Sequence, residues 1–238
     1  MALYRDEGIV LRTHKLGESD RIVSILTKGR GKVRAVAKGV RKTKSKFGAR
    51  LEPPTHLQLL FYEGRELDIV TQAETVDHFR SIRDDLDRLT GAVSMLEAAD
   101  QLGLEGEPNE PLFQMLLGAL RSLADTHSAL VVPAFFLKVL ALEGFRAVVD
   151  ACVECGETDG LVSFDLESGG VRCTEHRRGP AISPEALVLL NAILGGRLGT
   201  VLHEGRSPAT TEVEHLAVRS LEHHLERRMR SIAILDHG

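Results

Sequence analysis

Tryptophan is absent from the chain, tyrosine occurs twice, and aromatic residues make up only 4% of the sequence. A binding surface tiled with many base-stacking rings is thereby excluded. Cysteine occurs three times, an odd number that cannot pair off completely, which points to metal or thiol chemistry before a disulfide framework. No apolar run approaches the roughly 18 residues that a membrane span needs, and the opening Met-Ala-Leu-Tyr-Arg-Asp-Glu lacks the charged and apolar regions of a signal peptide. The expected location is the cytosol. Missing too are a Walker A loop, a dinucleotide fingerprint, a nucleophile elbow and an HExxH helix. Gly29-x-Gly31-Lys32 lacks the earlier glycine of a P-loop and leads into a strand, and His203-Glu204 has no second histidine at the required offset. None of these catalytic signatures is therefore available to assign a reaction.

What is present is 43% apolar content in 238 residues, enough for a genuine core and, against a typical domain of roughly 150 residues, for one large or two small domains. The net charge of -4 would argue against a polyanionic partner, but the average conceals an asymmetry. Residues 1–50 carry 14 Lys/Arg against 4 acids, which is +10, and residues 51–238 carry 16 against 30, which is -14.

Up to about residue 80 the hydrophobic period is two. Glu7–Thr13, Arg21–Thr27, Lys32–Ala37, Thr55–Tyr62 and Glu66–Thr75 read as strands rich in Val, Ile, Leu and Thr, punctuated at Lys28-Gly29-Arg30-Gly31 and Glu63-Gly64-Arg65 by hairpin glycines. Val33, Ala35 and Ala37 alternate with Lys32, Arg34 and Val36, so the third strand should bury one face and carry cations on the other. Five such strands suit an OB barrel. Beyond residue 80 the period becomes helical. Ser81 with Asp84 resembles a capping box ahead of Leu86, Leu89, Val93, Leu96 and Ala99. Asn109 caps a second helix through Leu112, Phe113, Leu116, Leu120 and Leu123, and a third runs from Pro133 to Glu143 and stops at Gly144. Ser183-Pro184 opens a fourth, with Ile182 and Leu187 placed as a hydrophobic staple. Thr211 and Glu214 precede a last helix ending near Arg227, Arg228 and Arg230, with residues 105–110 and 203–210 as loops. The fold class is α+β: an OB barrel over 1–80, then a helical domain over 81–238 with a Cys-bearing insert at 150–180.

Two clusters carry chemistry. Arg30 to Arg50 contains nine Lys/Arg and no acid: Arg30, Lys32, Arg34, Lys38, Arg41, Lys42, Lys44, Lys46 and Arg50, with Lys28 just before. Such a run repels itself, and a polyanion is the simplest reason to carry it; a solvated loop is the bland alternative. Punctuation by Gly, Ser and Thr suits phosphate tracking more than base-sequence readout. Phe47, inside the run, either stacks on a base or packs beneath the loop. In the second cluster, Cys152-x-x-Cys155 and Cys173-x-x-His176 form a four-ligand set with the spacing of a zinc ribbon. Four protein ligands fill a tetrahedral zinc ion and leave no open position, so the site should be structural. On the last helix His215, His223 and His224 should face solvent, with Leu216, Leu221, Leu225 and Met229 as its buried stripe. Phe135-Phe136-Leu137 reads as a buried helix, or else as one wall of a peptide groove.

The opening Glu7-Gly8-Ile9-Val10-Leu11-Arg12, then Gly17-Glu18-Ser19-Asp20-Arg21-Ile22-Val23, Gly31-Lys32 and Ala37-Lys38-Gly39-Val40-Arg41, resembles the N-terminal signature of the RecO family of recombination mediators. The order of parts is similar across essentially the whole chain. The resemblance implies DNA repair by binding single- and double-stranded DNA, annealing complementary strands and, with RecR, helping to load RecA onto strands coated by single-strand-binding protein; RecF is a further candidate partner. It implies a nucleoid-associated cytoplasmic protein whose DNA contacts centre on Lys28 to Arg50. His176 stands where family members often have a fourth cysteine, and some relatives lack the zinc site. An adaptor whose main ligands are proteins, with the basic face only orienting it on DNA, is the alternative. A zinc enzyme relying on Glu154 or Glu175 is a third.

Overall fold

The computed structural model describes residues 2–226 together with Met229 and Ser231. Arg227, Arg228 and Arg230 lie outside the described residues. Two compact units are present, Met1–Ala124 and Asp125–Gly238.

In the first unit β1 (Leu3–Leu16), β2 (Asp20–Thr27), β3 (Gly31–Ala37), β4 (His56–Tyr62) and β5 (Asp68–Asp77) close a barrel in the order β1-β2-β3-β5-β4. Only the β3–β5 pair is parallel, as an OB barrel requires. The period-two pattern of β3 appears directly in its burial, with Val33, Ala35 and Ala37 inside. Phe61 is fully buried and its neighbour Tyr62 is exposed, as alternation on a strand demands. Phe47 and Leu51, from the segment joining β3 to β4, pack into the same core as Val10, Ile25, Leu57 and Phe61. At 2% exposure Phe47 has no free face, so the base-stacking alternative is excluded for it.

Three helices complete this unit: α1 (Arg80–Arg83), α2 (Leu86–Leu102) and α3 (Glu110–Asp125). The change of period near residue 80 is therefore a change of secondary structure within one compact unit. Arg83 fixes the junction, its guanidinium donating to the carbonyls of Glu52 and Pro54 and to the Thr55 hydroxyl at 2.8 to 2.9 Å. The cap of α2 is Asp85, whose carboxylate accepts the Arg88 N–H at 2.9 Å, and not Ser81, whose hydroxyl donates to the Ala124 carbonyl. Of the expected stripe Leu96 and Ala99 are buried, but the rest of the buried face differs. Leu86 and Val93 are exposed, whereas Ala92, Met95, Leu96, Ala98 and Ala99 are buried. Small residues let the helix lie close to its neighbours, and a stripe sought through large side chains is rotated off that face. For α3, Asn109 accepts the Leu112 N–H at 3.0 Å, and Leu112, Phe113, Leu116, Leu120 and Leu123 are all buried, as expected.

The second unit holds α4 (Val131–Leu142), the hairpin β6 (Leu161–Asp165) and β7 (Gly170–Cys173), α5 (Pro184–Leu194), α6 (Leu198–Val201) and α7 (Pro208–Leu225). Phe135, Phe136 and Leu137 are buried on all sides of α4, which removes the peptide-groove alternative there. Gly144 takes the positive φ of an αL stop, and the Phe145 N–H reaches back to the Leu140 carbonyl at 2.8 Å. Ser183 caps α5 by accepting the Ala186 N–H, with Ile182 buried beside it. The last helix starts earlier than expected: Ser207 and Thr210 form the reciprocal capping box, with Pro208 in the first turn, so 208–210 are helical. Threonine stands in for the usual Glu at that box, which hid the signal. His215 and His223 are exposed as expected, while His224 packs its ring on Phe145 at 4.0 Å between centroids.

Because Phe47 anchors the basic segment in the barrel core, Phe47→Ala should lower unfolding free energy by about 3–5 kcal/mol in denaturant titration. A loss below about 1 kcal/mol would show that the segment is not rooted there.

Candidate nucleic-acid interface and metal centre

The ten predicted cations fall into three physical situations. Lys32, Arg34 and Lys28 are paired. The Lys32 ammonium donates to the Asp100 carbonyl at 2.5 Å and lies 3.6 Å from its carboxylate, with its side chain only 14% exposed. Arg34 meets Glu105 at 3.7 Å and Lys28 meets Glu110 at 3.4 Å, while Arg12 adds a 2.7 Å bridge to Asp100. The backbone is joined there too: Lys32 donates to the Leu104 carbonyl and accepts from Gly106. Gly31, at φ 67, makes this approach possible, since a Cβ on it would stand 1.9 Å from the Glu107 carbonyl oxygen. The outer face of β3 is thus covered by the end of α2 and the segment after it. These acids lie far downstream in sequence, which is why the run looked uncompensated.

Lys38, Arg41, Lys42, Lys44, Lys46 and Arg50 are all exposed, and no carboxylate among the described residues forms an ion pair with them. Their segment is nonetheless held in place. Arg41 donates its N–H to the Ser19 carbonyl at 3.0 Å and its guanidinium to the Glu18 carbonyl at 2.9 Å. Gly39 donates to the Asp20 carboxylate at 2.7 Å. That N–H, the Ser19 hydroxyl, and the nearby Lys38 and Lys42 hold the Asp20 carboxyl below its usual range despite some desolvation. Lys46 reaches the Thr71 carbonyl at 2.9 Å and Arg50 the Lys46 carbonyl at 2.7 Å. Carbonyl contacts orient a cation without neutralising it. Arg30, the tenth, lies over the ring of Tyr4.

In the second unit the four sulfur and nitrogen ligands meet. Sγ of Cys152, Cys155 and Cys173 and Nδ1 of His176 all lie within 4.8 Å of one another. The Cys155–Cys173 separation is 3.9 Å, Cys152–His176 is 4.0 Å and Cys173–His176 is 3.3 Å. A tetrahedral zinc with bonds of about 2.0–2.3 Å has ligand edges of about 3.5–3.8 Å, so the cradle fits. Four residues from two knuckles are therefore close enough to bind one metal ion. The Cys152 knuckle is built by Gly156 donating to the Cys152 carbonyl at 2.8 Å, and it is tied to β7 by Val153 donating to Val171 at 3.0 Å. A side chain on Gly170 would collide with Val153 at 2.4 Å, so the glycine admits this contact. Burial opposes ionisation of the Cys152 thiol, but backbone N–H groups of Cys173, Cys155 and Glu154 outweigh it and bring the thiol to about 6. The Glu157 N–H favours the Cys155 thiolate, but desolvation and the neighbouring Cys152 and Cys173 thiols push that second thiol up. The Cys152 sulfur is thus readied as thiolate, whereas that of Cys155 is favoured as thiolate only once an ion's charge is present.

Behind the cradle lies a network that spacing alone could not show. Arg172, next to Cys173, donates to Asp165 at 2.9 Å, to Ser168 at 2.9 Å and to Glu154 at 2.9 Å. Glu154 sits between Cys152 and Cys155, so Arg172 joins the first knuckle to the hairpin turn. Desolvation raises the Asp165 carboxyl, but the Ser168 hydroxyl, Arg172 and the Glu167 N–H hold it below its usual range.

Comparison with known proteins adds the ancestry. Residues 1–79 match the model for the N-terminal domain of recombination protein O, and residues 83–233 match that for its C-terminal domain. The chain belongs to the RecO family. Similar relatives include the DNA repair protein RecO of Frankia casuarinae, 44% identical over 99% of both chains. The RecO proteins of Streptomyces coelicolor and of a Nocardioides strain are each 43% identical over 98% or more of both chains. The signature read in the sequence is therefore that of a RecO-family DNA repair protein. No helix among the described residues is long and apolar enough to cross a membrane.

Ionised Asp165 stabilises the hairpin above the unfolded carboxylate value of about 3.9, and this contribution is lost as pH falls through its lower folded value. In chelator, Asp165→Asn should lower the thermal midpoint at neutral pH, and the gap to wild type should close on acidification. A gap constant down to pH about 2 would contradict the assignment.

Proposed function

We propose that this RecO-family chain is a recombination mediator. It binds single- and double-stranded DNA largely independently of sequence, anneals complementary strands and, with RecR, helps load RecA onto strands coated by single-strand-binding protein. It works in the cytoplasm on the nucleoid, with RecF as a further partner. The observation that supports this reading is the anchored segment carrying six exposed, acid-free cations, Lys38, Arg41, Lys42, Lys44, Lys46 and Arg50. Residues 1–80 would supply the DNA surface and residues 81–238 the partner-facing part, with the metal hairpin at 150–180.

Annealing needs no catalytic residue. Two strands approach slowly because their phosphates repel; a cationic surface displaces counterions, lowers that repulsion, and leaves base pairing to supply the free energy. Lys28 and Arg34 are answered within the fold by Glu110 and Glu105, so they add less to phosphate binding than the acid-free six. Lys32 acts as scaffold. The cradle of Cys152, Cys155, Cys173 and His176 would hold one zinc, whose closed coordination supplies structure and no reactive water.

Five cations on a single strand should give a slope of about -3.5 in log K against log salt. With Arg41, Lys42 and Lys44 all replaced by Glu, affinity and annealing should both collapse while the fold is kept. Unchanged annealing with intact partner binding would instead support the adaptor reading. Elemental analysis should find one zinc per chain, lost in Cys155→Ser together with thermal stability; a metal-free wild type grown in zinc would overturn the metal assignment.

A further inference from the structure

Two cations of the barrel lie over aromatic rings, Lys46 with its ammonium 4.9 Å from the centre of buried Phe47, and Arg30, the one of the two with a planar head group. Arg30 sits in the tight β2–β3 turn, where its own N–H donates to the Thr27 hydroxyl at 3.1 Å and the Thr27 hydroxyl donates to the Gly31 carbonyl at 2.8 Å. The preceding Gly29 N–H is held by the Asp6 carboxylate at 3.1 Å. From this fixed turn the guanidinium carbon lies 3.8 Å from the centre of the Tyr4 ring. Tyr4 in turn stacks on buried Phe61, with centroids 5.0 Å apart and planes 22° from parallel, and its hydroxyl donates to Asp68. The two carboxylates of this neighbourhood, Asp6 and Asp68, are both engaged by other donors. Arg30 is exposed, and no acid among the described residues pairs with it. The result is a three-layer pile, Phe61 in the core, Tyr4 above it and the Arg30 guanidinium over the Tyr4 ring.

A guanidinium held over a ring keeps its edge N–H groups for phosphate, and unlike an ammonium it also has a planar face to offer. A planar group with one face fixed and the other open is a stacking platform, and its rotamer entropy is already lost before any ligand arrives. Nucleobases stack on guanidinium planes as they do on aromatic rings. Only an unpaired base offers a free face, because the faces of a duplex are covered by their neighbours. We propose that Arg30, prestacked on Tyr4, receives an unpaired nucleobase of a single strand and so gives this end of the barrel a preference for single-stranded over duplex DNA. The inference rests on the DNA-binding reading above and deepens it.

Arg30→Lys keeps the charge and removes the plane. It should weaken binding of an oligothymidylate by about fivefold or more, the low end of what one stacked base contributes, while duplex affinity stays within about twofold. Arg30→Ala should give the same loss of single-strand preference with a small added loss on duplex. Since the chain has no tryptophan and two tyrosines, Tyr62→Phe leaves Tyr4 as the only fluorophore of its kind. In that background oligothymidylate should change tyrosine emission, and inorganic polyphosphate, which has the charges without the bases, should not. An unchanged single-strand to duplex ratio in Arg30→Lys, or equal responses to the two polyanions, would overturn the platform. Absence of any DNA binding by wild type would instead overturn the underlying function, so the two failures are distinguishable.

Discussion

Mutual repulsion among cations is the constraint on which the first unit is built. Residues 1–50 carry an excess of ten positive charges in a chain whose overall sign is negative. A chain cannot collapse such a stretch into a compact body unless each charge is paired, oriented outward or spread over a polarizable surface. All three solutions occur. Asp100, Glu105 and Glu110 pair with Lys32, Arg34 and Lys28, carbonyls of Glu18, Thr71 and Lys46 hold Arg41, Lys46 and Arg50 of the exposed 38–50 segment, and the Tyr4 ring carries Arg30. The division has a functional sense. Charges neutralised internally serve the fold, and those left without acids are the ones proposed above to meet a phosphate backbone.

The barrel makes that division durable. Phe47 and Leu51 reach from the cationic segment into the core, so a stretch with little secondary structure is fastened by apolar burial where hydrogen bonding alone would leave it loose. In the second unit, order comes from another source. The β6–β7 hairpin is short, and its stability depends on the Cys152–Cys155 and Cys173–His176 knuckles together with the Arg172–Asp165–Glu154 network.

Local patterns were legible wherever neighbours in sequence are neighbours in space. The alternation in β3, the Asn109 cap, the Gly144 stop and the paired C-x-x-C and C-x-x-H half-sites are contacts of a few residues' reach. Long-range pairing was not legible. Nothing near Lys32 announces that Asp100 will neutralise it, and the stripe of α2 is set by alanines whose burial depends on what they face. Phe47 was ambiguous for the same reason: an aromatic among cations reads alike as a stacking ring or as an anchor until the barrel interior is seen. Thr210 in place of the usual acid concealed the start of α7. Family membership was legible because the N-terminal signature is a local string.

The central claim is that cations of the 38–50 segment meet phosphate while those of the β3 face serve the fold. Salt slopes for single-strand binding separate the two most directly. Replacing Arg41, Lys42 and Lys44 with Ala should flatten the slope by about 2, whereas replacing Lys32 and Arg34 with Ala should leave the slope near the wild-type value while lowering stability. A slope that flattens with the second pair and not with the first triplet would contradict the account.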